Sequence, residues 1–153
     1  MAYPVKNKTI GTVYGRKCCR PLGNGKKSPH YWTLHTHKGI DFPVPAGTDV
    51  FACADGTVVG FAIWGTAFGK KSIIIKHVVN GETYYAVYAH LMKDIVVSKG
   101  ATVKKGQLIG KSGGRKGHPE DGNVAGEHLH LEVRKDSRWA VTGHVDPAVL
   151  LAA

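Results

Sequence analysis

The chain reads as an all-β protein of antiparallel sheets with few short helical turns. Three observations lead there. From residue 39 onward, short apolar or alternating runs are separated by glycine-containing turns at near-even spacing, the pattern of packed sheets. Asn80-Gly81 stands between two such runs, a strong signal for a two-residue hairpin. Only Asp146-Pro147-Ala148-Val149-Leu150-Leu151 suggests a helical turn, with proline at its start.

The elements follow in order. Residues 1–36 form an irregular lead-in, because Gly11, Gly15, Pro21, Gly23, Gly25 and Pro29 punctuate it too often for long elements. A strand at Val50–Ala54 meets a turn at Asp55-Gly56 and is followed by a second at Thr57–Trp64. Lys71–His77 and Thr83–His90 flank the Asn80-Gly81 hairpin. Near the carboxyl end, polar and apolar residues alternate through Glu127-His128-Leu129-His130-Leu131-Glu132-Val133. The 20 glycines serve turns and bends, and no repeat is visible. The division expected is a lead-in of residues 1–36 packed on one domain of residues 37–153.

A chain of 153 residues is one domain by size, with room for a single sizeable core. No stretch approaches the ~18 apolar residues of a membrane span, and Met1–Lys6 has no apolar run behind its charges, so no secretory signal is expected. Three cysteines, with Cys18 and Cys19 adjacent, do not suit a disulfide scaffold and fit synthesis in a reducing compartment. Cys53, inside an alternating run, reads as a small buried hydrophobe. The net charge of +10 is unevenly placed: Lys6, Lys8, Arg16, Lys17, Arg20, Lys26, Lys27 and Lys38 precede the first acid, Asp41. Such a segment seeks polyanions or is a solvated basic face. It lacks the aromatic–basic interleaving of single-strand platforms and any helix-in-groove module, so specific nucleic-acid binding is not expected. An anionic bacterial envelope is the other candidate.

His37-x-x-x-Asp41, His90 and His128-x-His130 lie in that order and read together as a metal site with its own acid–base histidines. On a strand, residues two apart share a face, so His128 and His130 point one way while Leu129, Leu131 and Val133 point the other. Two imidazoles on one face make half a divalent-metal site. A carboxylate and a third histidine complete a set of the kind that holds zinc with one position open. His77 and His144, each alone, read instead as surface or hydrogen-bonded core residues. Glu132 shares the histidine face and reads either as an acceptor for a ligand N–H or as a partner of Arg134.

At these residues the chain resembles peptidase family M23, the lysostaphin/LytM-type zinc metallopeptidases. The resemblance runs through His37-x-Gly39-Ile40-Asp41, Pro45-Ala46-Gly47-Thr48-Asp49-Val50, Ala54-Asp55-Gly56, Tyr88-Ala89-His90-Leu91, Gly100–Gly110 and His128-Leu129-His130-Leu131-Glu132-Val133. A closing Val145-Asp146-Pro147 resembles the family's end. The motifs span roughly residues 30–151 in the family's order. The resemblance implies a barrel-sandwich hybrid-like arrangement of antiparallel sheets with a zinc-holding groove. It makes His37, Asp41 and His130 the metal ligands, His128 the general base and His90 its partner. Tyr31 matches the position of an oxyanion-donating tyrosine in some relatives. Where many relatives have a short turn, residues 112–126 form a long loop that reads as a groove wall.

The expectation is a zinc metalloendopeptidase that cuts the peptide part of peptidoglycan. It is further expected to be a monomeric, antimicrobial bacteriophage endolysin, made in the host cytoplasm and released through a holin. A directly cross-linked wall, cut at a D-alanyl–diaminopimelate bond, is favoured over a glycine bridge. Its basic lead-in would meet the anionic wall surface. The rivals are a non-catalytic wall-binding relative and a basic nucleic-acid-binding β-domain.

Overall fold

A computed structural model describes residues 3–11, 17–18, 35–36, 39–62, 72–92, 95–114, 127–135 and 144–151. They carry the strands β1 (Lys17–Cys18), β2 (His35–Thr36), β3 (Gly39–Phe42), β4 (Asp49–Phe51), β5 (Gly56–Ala62), β6 (Ser72–Val79), β7 (Glu82–Ala89), β8 (Thr102–Val103), β9 (Leu108–Lys111), β10 (Leu129–Arg134) and β11 (His144–Val145), then the helix α1 (Ala148–Leu151). The fold is all-β with antiparallel pairing throughout. A seven-stranded sheet runs β11-β10-β7-β6-β5-β8, with β3 also on β10, and β4–β9 and β1–β2 form two further pairs.

β6 and β7 are the hairpin that Asn80-Gly81 predicts. Val79 pairs with Glu82, and both turn residues have positive φ, 52° and 79°, as a two-residue turn matched to strand twist requires. The core lies on one side of the large sheet. Ile40 and Phe42 from β3, Ile73 and Ile75 from β6, Ala86 and Tyr88 from β7, and Leu129, Leu131 and Val133 from β10 converge there with Val50 and Ile109 from the β4–β9 pair. Fully burying one such aliphatic side chain is worth about 1.5–3 kcal/mol.

Ile74, Val87 and Ala89 form a separate apolar patch. Since Ile73, Ile75, Ala86 and Tyr88 point into the core, these intervening residues lie on the opposite face of the sheet.

Three strand pairings carry no local sequence signal. β10 uses one edge for two partners in succession, with Leu129–Glu132 opposite β3 and Val133–Arg134 opposite β11. The region that reads as an irregular lead-in holds the β1–β2 pair. Its first residues are stitched to the main body: Val5 is buried in the core, Tyr3 packs edge-on to Phe42, and the Phe51 and Gly11 N–H groups donate to Pro4 and Asp41 carbonyls. The Gly100–Gly110 segment does not pair with itself, since β8 joins β5 and β9 joins β4. At the carboxyl end, Asp146 caps α1 through a 3.0 Å bond from the Ala148 N–H. No helix among the described residues is long and apolar enough to cross a membrane.

Candidate active site

Strand register builds the site. Asp41 on β3 lies directly opposite His130 on β10, and Gly39 lies opposite Glu132. Ile40 and Phe42 are committed to the core, so Asp41 is turned to the other face. Leu129, Leu131 and Val133 are likewise core residues, which turns His128, His130, Glu132 and Arg134 to that face too. On its other edge His130 faces Ala89, a residue too small to crowd the imidazole.

His90 arrives differently. It stands one residue past the end of β7 with φ at 60°, left-handed backbone that few non-glycine residues adopt and that clusters at functional sites. The bend holds its largely buried ring beside the β10 histidines. Ring centroids are 4.9 Å from His128 and 5.8 Å from His130. Asp41 Oδ1 lies 2.6 Å from His130 Nδ1 and 3.6 Å from His128 Nε2. One carboxylate and three imidazoles therefore converge on one face.

The other nitrogen of His130 is also held. Nε2 lies 3.1 Å from Glu132 Oε1, and Arg134 donates to Glu132 Oε2 at 3.1 Å. Glu132 thus contacts His130 and Arg134 at the same time, one through each oxygen. Burial pushes the Glu132 carboxyl up, but the His130 hydrogen bond and the charges of His130 and Arg134 hold it below the ordinary carboxylate range. Burial likewise pushes the His130 imidazole down, yet its bonds to Asp41 and Glu132 prevail and raise it to about 9. The position between Asp41 and His130 Nδ1 thus attracts positive charge, proton or metal ion.

That chemistry fits zinc, which takes nitrogen and carboxylate oxygen donors. With Nε2–H given to an ionised carboxylate, Nδ1 is the nitrogen left to bind a metal. Among the described residues no group of three or more His, Cys, Asp or Glu side chains is arranged to hold a metal ion. His37, the expected third ligand, lies outside the described residues, as do Tyr31, His30, His118, Cys19 and residues 115–126.

Two supports escaped the sequence reading. Glu127 Oε2 accepts the Ala46 N–H at 3.1 Å, and Ser112 Oγ donates to the Pro45 carbonyl at 2.9 Å while accepting from Thr48 N–H at 3.2 Å. Both fasten the 45–48 turn to segments that flank the site. Their partners are 64 to 81 residues away in the chain, so no local signal exists for them.

The model of peptidase family M23 matches residues 35–147. A Haemophilus influenzae metalloprotease is 34% identical over 143 residues, covering 89% of this chain and 28% of its own length. The peptidoglycan DD-endopeptidase ShyA of Vibrio cholerae is 40% identical over 97 residues, covering 63% of this chain and 20% of that protein. The chain therefore spans less than a third of either relative. The crystallised catalytic domain of lysostaphin from Staphylococcus simulans superposes with a TM-score of 0.69 at 28% identity, and each chain is covered completely. A zinc-containing peptidase from Vibrio cholerae gives 0.68 at 29% identity, covering 99% of this chain and 39% of that one. Fold and family match together define a lysostaphin/LytM-type peptidase. The chain belongs to peptidase family M23.

Proposed function

We propose that this chain is a zinc-dependent endopeptidase that hydrolyses peptide bonds in bacterial peptidoglycan. The observation that carries the reading is the Asp41–His130 Nδ1 pair at 2.6 Å, with the His128 and His90 rings packed beside it. His37, Asp41 and His130 would hold the metal. Bound zinc supplies Lewis acidity, which polarises a scissile carbonyl and lowers the pKa of a water from about 15.7 towards about 7.

The remaining steps belong to the protein. His128, whose Nε2 is 3.6 Å from Asp41 Oδ1, takes the proton from the attacking water and returns it to the leaving amine. His90 orients that water or stabilises the developing oxyanion. An imidazole suits both tasks because its ordinary pKa lies near working pH. Tyr31 is the proposed second oxyanion donor.

Relatives named as peptidoglycan DD-endopeptidases favour a bond in the direct cross-link over a glycine bridge. An endolysin role is the finest part of the reading, supported by the eight cationic residues gathered before Asp41. Digestion of purified walls of both chemotypes, with new termini identified by mass spectrometry, tests substrate and bond together. New D-alanyl and diaminopimelate termini that vanish with chelator support it. Intact walls of both kinds overturn it.

A further inference from the structure

His130, Glu132 and Arg134 occupy alternate positions of β10 and are all buried, at 8%, 4% and 4% exposure. They form one chain of contacts, from His130 Nε2 through the two oxygens of Glu132 to the Arg134 guanidinium. Beside Glu132 the neighbouring strands offer Gly39 and Val87, and neither provides a polar side chain. Gly39 is what makes the seat. A Cβ there would stand 2.3 Å from the Leu131 carbonyl oxygen, 2.9 Å from His130 Cε1 and 3.0 Å from Glu132 Cγ.

A buried ion pair is weak evidence of a role in stability. Desolvating a buried ion pair can cost as much as its attraction returns, and apolar side chains of similar volume often do as well or better. What an apolar replacement cannot do is hold the ring of His130. Glu132, acceptor-only when ionised, accepts the Nε2–H, which leaves Nδ1, beside Asp41, as the nitrogen at which a metal ion would take the place of a proton. Arg134 keeps the carboxylate charged and occupies its second oxygen, so Glu132 is not free to swing towards a cation itself.

We propose that Glu132 and Arg134 are positioning residues that set the tautomer and orientation of His130 as a metal ligand. Arg134 reaches His130 through Glu132. The inference rests on the metal reading given under Proposed function.

The test uses zinc alone as the probe, with affinity measured on the full chain by competition with a chromophoric chelator. The variant E132L/R134M removes both charges together and leaves neither buried alone. It is expected to unfold at a temperature equal to or above the wild type's when both are metal-free, and to bind zinc about 10–100-fold more weakly, the usual loss when a partner behind a ligand histidine is removed. Arg134→Met should cost less zinc affinity in the E132L background than in the wild type, the coupling expected of two residues on one path. Wild-type zinc affinity in a stably folded E132L/R134M overturns the proposal. Should that variant not fold, the nitrogen correlations of the wild type decide the proposal. A measurement on the wild type needs no variant: long-range ¹H–¹⁵N correlations of zinc-loaded protein should show His130 protonated at Nε2, and a proton at Nδ1 overturns it. Failure of the wild type to bind zinc would remove the metal reading and this inference with it, whereas unchanged affinity in the variants sinks this inference alone.

Discussion

The roles proposed for single residues at the β3–β10 pairing are separable by substitution. His128→Ala and His90→Ala are expected to keep zinc and lose about 10²–10⁴-fold in activity, the range of a general acid–base group. Metal content and wall hydrolysis, measured side by side, check this. Wild-type hydrolysis by His128→Ala would remove its role as base, and zinc loss in His90→Ala would make His90 a ligand. Gly39 has no chemistry, yet Gly39→Ala should be as damaging. Its Cβ would fall within 3 Å of the Leu131 carbonyl oxygen and the His130 ring, so β3 must lift from β10 and carry Asp41 away from His130. A loss of about 1–3 kcal/mol in stability, with weakened zinc uptake, is expected by thermal unfolding and chelator competition. The glycine is legible in the motif His37-x-Gly39-Ile40-Asp41, but its reason is not. That reason is a neighbour across the strand pairing, 93 residues further along at Glu132.

At the scale of elements, β6, β7 and the turn after β4 are tied by a buried polar cluster on the core side of the sheet. His77 Nδ1 lies 3.1 Å from the Asp55 carbonyl oxygen, so Nδ1 carries the proton. Nε2 then accepts from the Tyr88 hydroxyl at 2.8 Å, and that hydroxyl accepts the Cys53 N–H at 3.0 Å. Burial lowers the His77 pKa and pushes the Cys53 thiol up to about 12, so both are neutral. The consequence for pH has a definite sign. Unfolded His77 protonates near its ordinary value of about 6.5 and the folded residue only lower, so its share of stability is full above that pH and is lost as pH falls below it. The slope it contributes is at most about 1.4 kcal/mol per pH unit. Chemical denaturation of the metal-free protein between pH 7 and pH 5 should show that loss, and His77→Gln should flatten it. An equal slope in His77→Gln would assign the acid sensitivity to other groups. The element boundaries themselves were largely legible, because period-2 alternation and Asn80-Gly81 are local signals. The β10 edge shared by β3 and β11, and the Glu127–Ala46 tether, depend on long-range register and left no local trace.

For the whole molecule, the sequence exposed the histidine face of β10 because alternation alone fixes it. It could not show that the φ of 60° at His90 brings a third imidazole to that face. The basic lead-in is a property of the intact chain. Neutralising Lys6, Lys8, Lys17, Lys26 and Lys27 should weaken binding to anionic walls and flatten its salt dependence, since the Debye length falls from about 10 Å at 0.1 M to about 3 Å at 1 M. Hydrolysis of a small soluble peptide should change far less. Sedimentation with purified walls across a salt series checks this, and an unchanged affinity and slope would leave the segment as a solvated face. The central claim is that one zinc is held by His37, Asp41 and His130. Asp41 contributes nothing to the core and faces His130 Nδ1, and two remaining ligands cannot enclose the ion. The most direct test is metal analysis of the purified wild type and of Asp41→Ala after dialysis against trace zinc. About one zinc per chain in the wild type and little in a folded Asp41→Ala is the expected result; full occupancy in Asp41→Ala would contradict it.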